Sequence, residues 1–354
     1  MTFIEATRQN IVPLPAGAQA FSSGQPVSST LPRAGYGSRV FVHVNGTMTI
    51  TPGTGSASLS STGPFSLLSR VGILVNAATD ILSLSGYGCM CLDKVLPDAD
   101  GAPALDTANP GFGGNRAYNA QLFQAGVASG ANTWDFNLVL PIAINFQDPI
   151  GLLLLQSPET TAELRLTWNV EGGVNTNWPN NPVTLVGNAT SAFAGNAFVD
   201  VEFFEVPARP EDRPDIRFLH TLTESRMALT SAGDNFVPLP RGNTYLRLMH
   251  NVYANAALDT ADLSKLEITW NQTTKPYNIR RQTQLLLQRM RYGQDLPVGN
   301  FVHDWFTTRT TRDVIHTQAI TDLMSNVSMA STTTLGSNNN FIDTIAEQLV
   351  QIAA

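Results

Sequence analysis

An alternation of apolar residues along residues 134–146 constrains the fold of this chain more than any other feature of the sequence. Every even position in this segment is apolar, and Asp135, Asn137 and Asn145 fall on the other face. Because successive side chains of a strand point to opposite faces, a period of two predicts a β-strand with one face in a core. The apolar positions are Trp134, Phe136, Leu138, Leu140, Ile142, Ile144 and Phe146.

The same period returns often enough to predict an all-β chain. Each further run is a candidate strand, and a chain with many such strands buries them as two facing sheets. The first half of the chain is therefore expected to form a β-sandwich. The alternating positions are Val40, Val42, Val44, Met48 and Ile50; Val71, Ile73 and Val75; Leu164, Leu166, Trp168 and Val170; and Val199, Val201 and Phe203.

Length and one proline-rich segment predict two domains. The chain has 354 residues, whereas single cores stop growing near roughly 250–300 residues. Residues 206–214 contain three prolines and a charge cluster, which cannot continue a strand ladder. We expect a first sandwich at 34–207 and a second at 208–354. Residues 1–33, rich in Ser, Gly, Pro and Ala, are expected to form an irregular N-terminal arm that docks on a partner.

The second half combines strands with one short helix. Strand character returns at residues 245–253, 266–270 and 300–306. A helix is predicted between Pro276 and Gly293, with two interpretations open for its polar face: contact with solvent, or contact with a neighbouring subunit or domain. The predicted apolar face has Ile279, Thr283, Leu286, Leu287 and Met290, and the polar face has Arg280, Gln284, Gln288 and Arg291.

The last segment supports two interpretations. Ile342, Ile345, Leu349 and Ile352 fit helical spacing, whereas residues 340–345 resemble residues 196–201 at the end of the first half. We expect a strand, because a repeated sandwich needs its closing strand in the same place.

Composition excludes some functions. Only 14% of residues are charged and the net charge is −7, whereas about 25% is usual and nucleic-acid binding needs clustered cations. Direct nucleic-acid binding is disfavoured, and much of the surface is expected to be covered by something other than water. Neither a secretion signal nor a membrane-spanning segment is expected, because no stretch of about 18 apolar residues occurs.

No set of residues predicts a catalytic, cofactor or metal site. The five histidines, His43, His220, His250, His303 and His316, lack the short spacings of metal pairs and are expected in strands or at their edges. Cys89 and Cys91 lie in an apolar run that predicts a strand, where they would be small core residues beyond easy disulfide reach. Asp98, Asp100 and Gly101 predict a turn, since Ala102 stands where a calcium loop needs a ligand.

Two connections are much longer than hairpin loops, which usually have about 2–5 residues. Residues 97–133 and 171–196 are rich in Gly, Pro, Asn and Ala and contain few charges. Long excursions from a rigid scaffold usually provide contact surfaces.

Four longer segments resemble parts of a known protein family. They are LPRAGYGSRVFVHVNGTMTI at 31–50, GPFSLLSRVGILVN at 63–76, DPIGLLLLQSP at 148–158 and LLLQRMRYGQDLPVGNFVHDW at 285–305. The first two resemble the opening strands, and the last resembles the helix–turn–strand of the second domain, in double jelly-roll major capsid proteins. That family belongs to tailless icosahedral double-stranded DNA viruses with an internal membrane, including bacteriophages. The resemblance covers most of residues 31–306.

The resemblance implies a viral coat protein of two tandem jelly rolls that is not an enzyme. Its implied assembly is a homotrimer forming a pseudo-hexagonal capsomer in the virion shell, produced in the host cytoplasm. Implied partners are neighbouring capsomers, minor or penton proteins and, through the N-terminal arm, the internal membrane. The two long connections would build towers or contacts between subunits.

Two other classes remain open. Jelly rolls also host lectins and spikes, so a carbohydrate-binding or adhesion module is the main alternative. Its sugar platforms would be Phe112, Tyr118 and Trp178 in the long connections. An enzyme ranks third, because paired acids and metal spacings are missing from the sequence.

Overall fold

The computed structural model describes residues 3–95, 124–144, 150–171, 182–229, 232–254, 257–271, 273–292, 295–306, 314–318, 320, 322–330 and 340–352. Short 3₁₀ helices occupy Phe3–Ala6, Phe65–Leu67 and Pro210–Asp212. The first-half elements are β1 (Gln9–Pro13), β2 (Gln19–Ala20), β3 (Pro26–Thr30), β4 (Tyr36–Thr51), β5 (Ser56–Leu59), β6 (Leu68–Val75), β7 (Thr79–Leu84), α1 (Gly86–Val95), β8 (Gln124–Ala125), β9 (Gly130–Pro141), β10 (Leu153–Leu154), β11 (Ala162–Trp168), β12 (Val183–Val186) and β13 (Thr190–Phe204). The second-half elements are β14 (Phe218–Ala228), β15 (Asp234–Pro238), β16 (Thr244–Ala254), β17 (Ala257–Leu258), β18 (Leu263–Trp270), β19 (Thr274–Arg280), α2 (Arg281–Tyr292), β20 (Asn300–Asp304), β21 (Ile315–His316), β22 (Leu323–Met329) and β23 (Phe341–Gln351).

The two halves repeat one topology. In the first, β1, β13, β4 and β9 lie side by side in one sheet, facing β3, β11, β6 and β7 in the other. In the second, β14, β23, β16 and β20 face β15, β22, β18 and β19. Successive strands visit the two sheets in the same order in both halves, and each helix follows the fifth of these strands. This is the jelly-roll arrangement, present twice.

The expected arm at residues 1–33 is wrong as a separate element. β1 pairs with β13 and β3 pairs with β11, so these strands are the first two of the first jelly roll. Phe3 and Ile4 ahead of them pack on Tyr36 and Phe204. Both strands have only five residues at sheet edges, too few for a period of two to be distinguished in the sequence.

The long alternating segments form the strands that the sequence predicts. Trp134 and Phe136 of β9 are fully buried, and so is Trp168 of β11. The ring of Phe21 packs edge-on against Trp168 at a centroid distance of 5.3 Å. Residues 145 and 146 of the predicted run lie outside the described residues. These aromatic rings form the centre of the first core.

Two alternating positions depart from expectation. Val170 follows the end of β11 and is 68% exposed. At the end of β13, Phe204 is buried and Phe203 only partly so. Phe204 lies on the outer face of the sheet, where it packs with Tyr36 and Leu152 in a separate cluster.

The apolar run around the cysteines forms α1, so the predicted strand there is wrong. Cys89 and Cys91 are free and buried, as expected for small core residues. A short run that is buried on all sides is apolar at every position and shows no period. The sequence pattern therefore cannot distinguish a helix from a strand there. At the other end of the chain, β23 confirms the expected closing strand.

Helix α2 is where the sequence predicts it, with the opposite face buried. Leu286 and Met290 are 56% and 72% exposed, whereas Gln284 and Gln288 are buried. The Gln284 amide donates to the Val302 carbonyl at 2.6 Å, and the Gln288 side-chain oxygen accepts from the Val302 amide at 3.1 Å. Backbone groups of β20 need hydrogen-bond partners, and the two glutamines supply them. Among the described residues, no helix is long and apolar enough to cross a bilayer.

This orientation predicts that a polar side chain of α2 stabilises the monomer more than an apolar one. Gln284→Ala removes the partners of the Val302 carbonyl and of the Tyr277 hydroxyl, and should lower the free energy of unfolding by about 2 kcal/mol. Leu286→Ala should change it by less than about 0.5 kcal/mol. Urea unfolding at concentrations that keep the chain monomeric measures both. A larger loss for Leu286→Ala would contradict the orientation.

Candidate functional site

The residues that the sequence analysis considered as possible site residues do not come together in the structure. All five histidines lie in strands, as expected: His43 in β4, His220 in β14, His250 in β16, His303 in β20 and His316 in β21. In the part of the chain that the structure describes, no three His, Cys, Asp or Glu side chains are grouped to hold a metal ion. The predicted turn at 98–101 and the aromatic residues Phe112, Tyr118 and Trp178 lie outside that part.

The strongest candidate site is the junction between the two jelly rolls. There β7 pairs with β14 in parallel, with Leu222 opposite Leu82 and Thr223 opposite Ser83. This pairing joins one sheet of each jelly roll into a single ten-stranded sheet. The hydrogen-bonded ladder therefore fixes the distance and rotation between the two halves.

Helix α1 packs across the outer face of β14, β23 and β16, and all ten of its residues are buried. A Cβ added to Gly88 would lie 3.0 Å from Oε2 of Glu224 and 3.1 Å from Cδ1 of Ile345, so any larger residue would require these side chains to shift. The Ser85 hydroxyl, just before the helix, donates to Glu224 at 3.0 Å. The Cys91 thiol donates to the Asn251 side chain at 3.6 Å.

A stacked aromatic pair and an ion pair lie next to each other on this covered face. The rings of Tyr253 and Phe341 stack with centroids 4.3 Å apart. The Arg226 guanidinium lies 4.0 Å from the centre of the Phe341 ring and makes two hydrogen bonds to Asp343, at 2.6 and 2.8 Å. Burial raises the pKa of Asp343, and the neighbouring Arg226 opposes that rise.

A buried network of charges lies on the same face. Arg247 Nη1 donates to Glu347 Oε2 at 2.6 Å, and its Nε lies 3.3 Å from Asp304 Oδ1. Burial opposes ionisation of Glu347, yet Arg247 and His220 together lower its pKa to about 2. The Tyr292 hydroxyl donates to Asp304 at 2.8 Å. Removing one member of such a network leaves a buried charge uncompensated, which costs about 3–5 kcal/mol.

His220 connects this network to the first jelly roll. Its Nε2 lies 3.0 Å from Glu347 Oε1, and its Nδ1 lies 3.2 Å from the Ile142 carbonyl. A carboxylate and a carbonyl only accept hydrogen bonds, so the ring donates to either of them from a nitrogen that carries a proton. Gly151 has φ +87°, and a Cβ there would lie 2.7 Å from the Cβ of His220. Glycine thus lets the first jelly roll approach this histidine.

Two other histidines, His250 and His303, are buried inside the second jelly roll. His250 lies 3.0 Å from the Thr344 hydroxyl and 2.8 Å from the Ser325 hydroxyl, and burial lowers its pKa to about 3. The His303 ring lies edge-on to Tyr277, 4.3 Å between centroids, and burial lowers its pKa well below the usual range. Both rings are neutral at physiological pH and fill the core of the second jelly roll.

Sequence reasoning missed the junction because its contacts join distant parts of the chain. Ser85 and Glu224 are 139 positions apart, and His220 and Glu347 are 127 apart. The one available signal was the repeat between residues 196–201 and 340–345, which places two equivalent strands in two equivalent sheets.

Comparison with known proteins identifies the fold. No family model matches the chain, and no curated protein matches it by sequence. The structure is similar to the major capsid protein of Sulfolobus turreted icosahedral virus, with a TM-score of 0.68, 12% identity and 97% of each chain covered. It is also similar to PBCV-1 VP54, fitted into a reconstruction of the virophage Sputnik, with a TM-score of 0.65, 12% identity and coverage of 98% of this chain and 95% of that one.

A third similar structure is the major capsid protein P2 of bacteriophage PM2. Its TM-score is 0.55 at 10% identity, with 98% of each chain covered. At such low identity these likenesses establish the fold, which is the double jelly roll that the sequence resemblance implied.

The junction predicts a pH dependence of stability. Burial, with a smaller contribution from Asp343, raises the pKa of Glu224 to about 7, while hydrogen bonds from Ser85 oppose the rise. A raised pKa means that the folded chain binds the proton more tightly than the unfolded chain. This stabilisation is complete below the ordinary pKa of 4.5 and is lost as the pH rises through 7.

Glu224→Gln should therefore remove about 2–3 kcal/mol of the stability that the parent chain gains between pH 8 and pH 5. Denaturant unfolding at both pH values measures this, and Asp343, whose pKa is also raised, leaves a residual dependence in the same direction. The exposed control Glu159→Gln should keep the parental difference. An unchanged pH dependence in Glu224→Gln would show that Glu224 does not titrate in this range.

Proposed function

We propose that this chain is a major capsid protein, a structural subunit of an icosahedral virion. The observation that carries the proposal is the junction, which holds two jelly rolls of one topology in a single rigid unit. The solved structures of similar fold are major capsid proteins. The proposed role is mechanical: lateral surfaces bury area against neighbours and so close a shell.

The repeat explains how one chain would tile a shell. Three copies about an axis place six jelly rolls in a ring, because each chain supplies two that are nearly equivalent. Such a trimer has a pseudo-hexagonal outline, so identical capsomers can pack edge to edge. The proposed partners are thus other copies in the trimer, neighbouring capsomers, and minor or penton proteins at special positions. The proposed location is the virion shell, after synthesis in the host cytoplasm.

The structure reduces what the N-terminus can offer a membrane. Residues 9–13 and 26–30 are strands, and Phe3 and Ile4 pack within the chain. The membrane contact that the resemblance implies for residues 1–33 stays a proposal, made for a segment whose strands β1 and β3 belong to the first jelly roll. The proposed role needs no cofactor and no catalysis. The carbohydrate-binding alternative depends on aromatic residues outside the described part of the chain, and no described surface favours it.

The mass of the purified full-length chain in solution tests this proposal. Light scattering after size-exclusion chromatography should give about three times 38.2 kDa at micromolar concentrations, since a capsomer buries enough area to persist in isolation. A strict monomer up to hundreds of micromolar would contradict it, and so would glycan binding by a stable monomer.

A further inference from the structure

The outer face of the first jelly roll carries the same pattern as the covered face of the second. In the closing strands, an ion pair holds the same place beside a bulge: Glu202 of β13 lies opposite Arg39 of β4, and Glu347 of β23 lies opposite Arg247 of β16. Phe198 pairs across the sheet with His43 of β4, as Phe341 pairs with Tyr253 of β16. Both phenylalanines face away from the core of their own jelly roll. The repeat thus extends to the residues that make the junction.

The two faces differ in what covers them. Phe341 and Tyr253 lie against the first jelly roll and are 7% and 1% exposed. On the first jelly roll the outward side chains are open, with Phe198 42% exposed and the His43 side chain 37% exposed. Ile11 of β1 adds a third open apolar side chain, at 57%. A face built like a buried one is uncovered in the isolated chain.

The two helices also differ in burial, and here it is the helix of the second jelly roll that is exposed. Helix α1, which covers the second jelly roll, is buried along its whole length. Helix α2 occupies the same place in the repeat, after the fifth strand, and exposes Leu286 and Met290. Within the described part of the chain, apolar side chains of helix α2 and of the outer face of β1 and β13 are therefore exposed.

Charge at the two uncovered surfaces is opposite. Helix α2 and the residue before it carry Arg280, Arg281, Arg289 and Arg291, and the helix contains no acidic residue. The outward positions of the sheet carry Asp135 and Asp200, whereas Glu202 beside them is buried and paired with Arg39. Opposite potentials favour the encounter of two surfaces and set their register.

We infer that α2 of one copy docks on the outer face of β1, β13 and β4 of a second copy, with Leu286 and Met290 against Phe198. This inference rests on the proposed function and names the contact that builds the oligomer. The contact repeats between chains what α1 makes within one chain. It is heterologous, joining two different surfaces, and such contacts close into rings when the rotation allows.

A mixing experiment with two full-length variants tests this contact. Phe198→Glu removes the sheet surface and keeps α2, whereas Met290→Glu removes the helix surface and keeps the sheet. Each variant alone should associate at least about 30-fold more weakly than the parent chain, as expected for a central interface residue. An equimolar mixture should form a one-to-one pair of about twice 38.2 kDa and grow no further, because only one intact contact is available.

Matched controls use exposed apolar residues away from both surfaces. Phe236→Glu in β15 and Val170→Glu after β11 replace side chains that are 52% and 68% exposed, and both should keep the parental mass. Circular dichroism of every variant verifies folding. Cysteines introduced together at positions 198 and 290 give a second readout, because oxidation should link separate protein molecules into closed rings or linear oligomers.

The outcomes separate this contact from the proposed function. A parent trimer that persists in both variants would overturn the contact and leave the capsid proposal standing. Two monomeric variants that fail to pair on mixing would overturn the heterologous geometry. A parent chain that is monomeric throughout would contradict the capsid proposal itself.

Discussion

The fold of the whole chain depends on covering the outer face of the β14–β23–β16 sheet. Nine consecutive residues of β23 are buried, so both faces of this strand are removed from water, one by its own jelly roll and one by the first. Helix α1 covers this face at Glu224, Ile345 and Asn251, and the segment that contains Ile142 and Gly151 approaches it at His220. Without them, Phe341, Tyr253 and the Arg247–Glu347 network would meet solvent. The second jelly roll is therefore complete only when the first is attached to it.

The buried charges at this junction fix the relative orientation of the two jelly rolls more than they raise the free energy of unfolding. Desolvating Arg247, Glu347 and Asp304 costs several kcal/mol per ion, and their mutual attraction offsets that cost only in one geometry. His220 adds a hydrogen bond to the Ile142 carbonyl of the other jelly roll. A rotation of one jelly roll against the other would separate these groups. For a proposed shell subunit, that rigidity transmits lateral contacts from one edge to the other.

Alternation in the sequence predicted the strands with one buried face, whereas strands buried on both faces and short edge strands do not alternate. Strand β9 alternates because water lies on one side and a core on the other, so its register is readable. Strand β23 is buried on both faces and shows no alternation, and only its likeness to β13 identified it. Edge strands β1 and β3 are too short to show a period. The sequence left open what the polar face of α2 contacts, because the need of Val302 for hydrogen-bond partners from Gln284 and Gln288 is invisible in the sequence.

The central claim is that two jelly rolls behave as one rigid unit, and native-state hydrogen exchange tests it most directly. If the junction holds them together, the backbone amides of β7, β14 and β23 should exchange with the same opening free energy as those of β4 and β13, within about 1 kcal/mol. Amides of β14 and β23 that open several kcal/mol more easily than those of β4 would show that the second jelly roll unfolds independently, and would contradict the claim.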